Sequence, residues 1–150
     1  MTDDTMPARI DDSIAPGIDA ESHDEALARA ARARYRADGI GRLEPDDGIR
    51  SALGFDEHLL AVRQTVAVER LSDGGRSPLF GRLAITSERL FVLDDQPLTL
   101  ALLDELDEVT LVRNRLLVML TSGDGFTITA PNPMLLRVEL AAARAGRLPT

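Results

Sequence analysis

Leu79-Phe80-Gly81-Arg82-Leu83-Ala84-Ile85-Thr86-Ser87-Glu88-Arg89-Leu90-Phe91-Val92-Leu93 carries the clearest structural signal in the chain. Leu79, Gly81, Leu83 and Ile85 alternate with Arg82, Ala84 and Thr86, the two-residue period of a strand with one buried face. Arg89 to Leu93 reads as a second short strand that stops at Asp94-Asp95. Upstream, Leu60, Val62, Val66 and Val68 alternate with Ala61, Arg63, Thr65, Ala67 and Glu69, with Gln64 the one polar residue on the inner register. Asp73-Gly74-Gly75 ends that run, so it pairs with Leu79 to Thr86 as a hairpin across a polar loop. Downstream, Pro97 opens a strand with Leu98, Leu100 and Leu102 on one side, and Val109 to Arg113 forms another. Asn114 allows a tight turn into Leu116 to Leu120. Ser122-Gly123-Asp124-Gly125 carries a hairpin signature, after which Phe126, Ile128 and Ala130 face inward.

After the last strand, Asn132 suits an N-cap, Pro133 suits the first helical position, and Met134 to Ala145 reads as a helix ended by Gly146. Seven short antiparallel strands followed by one helix need closure or layering to bury both faces and protect their edges. A small barrel plugged by the final helix is the expected mainly β fold, occupying residues 53–146 ahead of a short tail at 147–150.

The N-terminal third reads differently. Residues 1–21 hold Asp3, Asp4, Asp11, Asp12, Asp19 and Glu21 against Arg9 alone, without a hydrophobic period, and are expected to be a disordered acidic tail. Ser22-His23-Asp24-Glu25 reads as a capping box opening an alanine-rich helix over 22–38, with Gly39 as its C-terminal cap. Leu27, Ala31 and Tyr35 share one stripe of that helix and Arg29, Arg32 and Arg36 the other side. Gly39, Gly41, Pro45, Asp46, Asp47 and Gly48 mark residues 39–52 as a linker.

Composition narrows the chemistry. The 150 residues, 44% hydrophobic and 28% charged, suit one ordinary domain. There is no cysteine, so disulfides, thiolate metal sites and thiol nucleophiles are excluded, and two histidines leave little for imidazole-based zinc sites. A formal net charge of −8 opposes nucleic-acid binding, which rests on cationic neutralisation of phosphates. No apolar run is long enough for a membrane span and no leader pattern is visible, so a soluble cytoplasmic protein is expected.

The stretch Gly81 to Phe91, with its glycine, alternating hydrophobes, threonine, turn, arginine and hydrophobic run, resembles the second and third strands of a pleckstrin-homology-like (PH-like) domain of the bacterial or GRAM type. Leu98 to Val109, a strand leading into an acidic turn, is similar to the segment that follows. The resemblance spans about Gly54 to Ala145. It implies a seven-stranded barrel capped by a C-terminal helix, used to bind lipid headgroups or peptides without catalysis. Lipid-binding members resemble one another in a basic cluster around the first hairpin. Here that region has Arg63, Arg70, Arg76 and Arg82 set against Glu69 and Asp73, with no paired basic motif. From Ser51 onward, 10 arginines face 13 carboxylates, net −3. A multiply charged headgroup needs several converging cations, so a protein or peptide partner is expected and membrane lipid is the alternative.

The candidate ligand contacts are Arg63, Arg76 and Arg82 on the first hairpin and the pair Arg113 and Arg115 around Asn114. Asp56-Glu57-His58 is read as a loop or cap cluster, and Asp104-Glu105-Leu106-Asp107-Glu108 as a solvated acidic turn without the spacing of a cation loop. No catalytic residue, metal site or cofactor is expected. The closing helix has two apolar arcs. Met134, Leu135, Val138, Ala141, Ala142 and Ala145 are expected to plug the barrel. Leu136, Leu140 and Ala143 are expected to meet another helix, either Leu27, Ala31 and Tyr35 of the same chain or a second copy. Self-association is favoured, because alanine and one leucine make a poor lid.

Overall fold

The structure, a computed structural model, describes residues 16–146, with side chains from residue 20 onward. Helix α1 spans Pro16–Asp38 and a short α2 spans Asp47–Ala52. Seven strands follow: β1 Leu59–Arg70, β2 Leu79–Thr86, β3 Arg89–Leu93, β4 Pro97–Leu102, β5 Leu106–Val112, β6 Arg115–Leu120 and β7 Gly125–Thr129. Helix α3, Pro133–Ala145, closes the chain. All strand pairs are antiparallel, in the order β4-β3-β2-β1-β7-β6-β5. The expected strand count, direction and final helix are present. The expected closure is not, because β4 and β5 end the sheet without pairing to each other.

β1 joins the two halves of the sheet by pairing with β2 along most of its length and with β7 through Ala67 to Arg70. Its register against β2 shifts between Leu59 and Ala61 and again between Arg63 and Val66. Such irregularities bend a strand and change which face its residues occupy. Ala61, Val66 and Val68 therefore join the main core, whereas Leu59 and Val62 pack on the opposite face. Gln64, expected on the inner register, sits exposed at the second irregularity. In β4 a further shift pairs Thr99 with Phe91 and Ala101 with Leu90, which turns Ala101 inward and leaves Leu98 and Leu102 exposed.

Two strand glycines are set by close backbone approach. A Cβ on Gly81 would lie 2.6 Å from the Leu93 carbonyl oxygen, and one on Gly125 would lie 2.6 Å from that of Val118. In the β5–β6 turn the positive φ falls on Arg113, at 60°, and not on Asn114.

The main core lies between the sheet and α3. Leu83, Ile85, Leu90 and Val92 enter it from one half of the sheet, and Leu116, Val118, Phe126 and Ile128 from the other. Leu136, Leu140 and Ala143 fill the space between them. The two apolar arcs of α3 thus exchange their expected roles. Leu136 and Leu140, each 1% exposed, face the sheet, and burial of such leucines is worth about 1.5–3 kcal/mol apiece. The other arc receives α1, where Ala28 and Ala31 pack on Val138, with Tyr35, Met134 and Leu135 beside them. Docking within the chain covers this arc. A third cluster of contacts places Ile49 of α2 over Leu59, Ala84 and Phe91, so residues 39–52 hold a packed helix instead of a bare linker. Asp46 caps α2, accepting from the Ile49 amide at 3.0 Å.

Helix α1 begins at Pro16, so the motif Ser22 to Glu25 lies inside it and caps nothing there. Of the expected disordered tail, residues 16–21 are helical and residues 1–15 lie outside the described residues, as do 147–150. Gly39 ends α1 as expected, with φ of 74° and its amide donating to the Tyr35 carbonyl at 2.8 Å.

Candidate functional site

The arginines picked from the first hairpin do not converge. Arg63, carried inward by the irregular register of β1, meets Glu139 of α3 at 2.7 Å, and the two side chains are only 13% and 12% exposed. Its Nε donates to the Pro131 carbonyl at 3.2 Å. Arg82 pairs with Asp46, the cap of α2. Arg76 donates through Nε to the carbonyl of Asp73 in its own loop, at 2.8 Å. Arg115 pairs with Glu69 at 3.0 Å, and Arg113 is exposed beside a hollow that also includes Glu21 and Asp24. Three of these five cations are matched by carboxylates of the chain, so they form no common anion site.

The buried carboxylates serve the fold. Glu57 is the centre of a network: its Oε2 accepts from the Thr86 hydroxyl at 2.6 Å and Arg89 Nε at 2.8 Å, and its Oε1 from the Gly54 amide at 2.9 Å and Arg89 Nη2 at 3.2 Å. Burial alone would push this carboxyl up, but the hydrogen bonds from Arg89, Thr86 and Gly54 hold it below the usual 4.5. Arg89 also donates to the Ala52 carbonyl and the Thr99 hydroxyl, each at 2.7 Å, and lies 4.6 Å from the Phe91 ring centroid. The loop-or-cap reading of Glu57 thus holds for its Gly54 contact. The neighbouring His58 uses its backbone amide to bind Ser87 Oγ at 3.0 Å. Among the described residues, no group of three or more histidine or carboxylate side chains is placed to hold a metal.

Glu139 behaves in the opposite sense. Burial pushes its carboxyl above the usual 4.5, against the pull of Arg63 and, more weakly, Arg34. The close Nη2 and Oε1 atoms of the Arg63–Glu139 pair form no aligned hydrogen bond, which leaves burial less fully offset.

Asp24 is the contact that sequence reasoning missed. Only 4% exposed, it reaches from α1 to the start of α3, where its two oxygens accept the amides of Met134 at 2.8 Å and Leu135 at 3.0 Å. Asn132, the expected N-cap, has φ 53° and makes no side-chain capping bond. The cap of α3 therefore comes from 110 residues away, and it fixes α1 in place.

With α1 so held, a hollow of about 610 Å³ opens between its C-terminal half and α3. Its floor is formed by Val138, Ala141, Ala142 and Ala145, with Tyr35 and Ile40 along one wall. Arg32 and Arg36 stand on the α1 side and Arg137 on the α3 side, and among the described residues no carboxylate lines it. A second hollow of about 430 Å³ lies across α3, between it and β5, and shares Arg137, Ala141 and Ala145. Of the residues proposed as a partner interface, Tyr35 lines the groove and Leu27 is half-buried on α1, whereas Leu136, Leu140 and Ala143 are core. The signal for the groove was present in the sequence: Arg32 and Arg36 share one side of α1, and Arg137 interrupts the apolar arcs of α3.

A solved structure of similar shape is the Vps36 N-terminal PH domain. It is 23% identical, with 63% of this chain and 82% of that chain covered and a TM-score of 0.47. Seven antiparallel strands followed by a helix are also what the PH-like resemblance of the sequence implied. No protein-family model and no curated protein matches this chain. Among the described residues, no helix is long and apolar enough to cross a membrane.

Proposed function

We propose that this chain is a non-catalytic interaction module, of the GRAM-type PH-like kind, that seats a protein or peptide partner in the groove between α1 and α3. The observation that carries this reading is the groove itself, a concave apolar floor with a polar rim on a scaffold whose buried carboxylates are all engaged in holding the fold. Enzyme chemistry would call for a base or nucleophile with free geometry at a cleft, and Glu57, Asp24 and Glu139 are each tied to structural partners. Phosphoinositide binding would call for converging cations at the first hairpin, and Arg63 and Arg82 there are paired with Glu139 and Asp46. A cytoplasmic location accords with the chain's acidic, cysteine-free composition.

The reading is tested by placing a photoreactive amino acid at the exposed Ala141 in the groove and, as a control, at the exposed Ser51 of α2. Irradiation in cells of the source organism, followed by mass spectrometry, is expected to give a discrete adduct with another polypeptide from position 141 alone. Adducts with phospholipid only, or equal adducts from both positions, would refute it.

A further inference from the structure

We infer that the groove between α1 and α3 receives an acidic amphipathic helix supplied by another protein. This rests on the interaction-module reading and names the chemistry of the partner. The floor sets the shape of the occupant. Val138, Ala141, Ala142 and Ala145 have short side chains, and α1 already packs against this face through Ala28 and Ala31. A third helix laid along the same surface can approach to the short end of the usual 8–10 Å interaxial range and pack its apolar stripe into the hollow.

The rim sets the charge. Arg32, Arg36 and Arg137 have no hydrogen bond or ion pair to another described residue, and none of the described residues that line the groove is a carboxylate. Arginines 63, 82, 89 and 115 are each matched to a carboxylate, whereas these three gather around one apolar floor without one, in a chain of net charge −8. Guanidinium groups present forked donors suited to carboxylates. Arg32 and Arg36 are four residues apart on α1, so glutamates four apart on an incoming helix match their spacing of about 6 Å.

Other occupants fit less well. Residues 1–15 carry Asp3, Asp4, Asp11 and Asp12 but show no hydrophobic period in sequence, so they lack the apolar stripe that the groove floor calls for. A second copy docked groove to groove about a two-fold axis would set the arginine rim against the same rim of its mate, with no carboxylate among the described lining residues to offset it.

The test uses the full chain and a labelled peptide of about 18 residues, with leucine and alanine on one helical face and glutamate on the other; a matched peptide carries lysine in place of glutamate. Fluorescence anisotropy is expected to show binding of the acidic peptide that weakens with added salt, at least tenfold preference over the basic peptide, and at least tenfold loss in the variant Arg36→Glu with Arg137→Glu. That variant is expected to gain affinity for the lysine peptide, a readout that an unfolded protein cannot give. Equal binding of both peptides, binding unaffected by the charge reversal, or no peptide binding would overturn the inference. Cosedimentation with phosphatidylglycerol vesicles that is abolished by the same variant, without peptide binding, would assign the groove to a membrane and overturn it too. Absent peptide binding beside an intact polypeptide adduct at position 141 refutes the acidic helix alone, whereas loss of that adduct refutes the function on which it rests.

Discussion

Replacing Asp24 by alanine tests the link between α1 and the rest of the fold. The carboxylate is 4% exposed and accepts two amides at the first turn of α3, at 2.8 and 3.0 Å. Those amides belong to the set at a helix N-terminus that has no partner within the helix, and a carboxylate there also meets the positive end of the helix dipole. Removing a capping side chain costs about 0.5–2 kcal/mol in exposed helices. Here the bonds are charge-assisted and largely shielded, and the two amides are left without their acceptor, which places the loss at about 2–3 kcal/mol. Asp24→Asn keeps the shape and one good acceptor, so about 1 kcal/mol is expected.

The consequence for the groove is larger than for the core. Without Asp24, α1 is held mainly by the small contacts of Ala28 and Ala31 on Val138, with partial burial of Tyr35. Equilibrium denaturation in urea measures the global loss. Amide hydrogen exchange is expected to show Met134 and Leu135 losing protection together with the amides of α1, while the strand amides of β6 and β7 change little. A loss below about 0.5 kcal/mol with unchanged protection at Met134 and Leu135 would refute the cap.

Two further substitutions have opposite pH signatures. Glu57→Gln breaks the pair with Arg89, whose side chain is 20% exposed, and about 2–4 kcal/mol is expected by chemical denaturation near neutral pH. Because the folded carboxyl is held low, its contribution is present above the usual 4.5 and is lost as pH falls through the lowered folded value, so the deficit of the Gln variant is expected to shrink on acidification. Glu139 is held high, so its contribution is present below 4.5 and is lost as pH rises through the raised value. The stability of Glu139→Gln relative to the parent is therefore expected to increase as pH rises from the usual 4.5 through the raised folded value, and a flat or opposite slope in urea titrations would contradict the assignment.

Alternation and turn chemistry made the sheet legible, because seven strands with one face on a core repeat the two-residue period that burial imposes. What alternation cannot register is an extra residue. The shifts around Leu60 and between Arg63 and Val66 let one strand serve both faces of the sheet, and they are why Arg63, read as outward, is instead half-buried against Glu139. Likewise a two-residue period through Leu98, Leu100 and Leu102 is broken by the shift that turns Ala101 inward. Closure of the barrel was an inference from the need to protect edges, and β4 and β5 remain separate edges with Leu98 and Leu102 exposed along one of them.

Asp24 was invisible for a different reason. A local capping box is recognised by spacing, whereas this carboxylate caps a helix 110 residues away, and no spacing rule spans that distance. The two arcs of α3 could have been told apart by size. The sheet halves diverge around a deep core that accepts Leu136 and Leu140, and large side chains gain most where many neighbours surround them. A helix-on-helix contact such as Val138 on Ala28 and Ala31 needs short side chains, because every added methylene holds the backbones apart. The alanines of α1, taken in the sequence as making a poor lid, are therefore, with those of α3, what lets α1 dock. They also leave Ala141 and Ala145 exposed beyond the crossing, with three arginines around them, and it is this combination of short side chains and cations that the proposed acidic helix would meet.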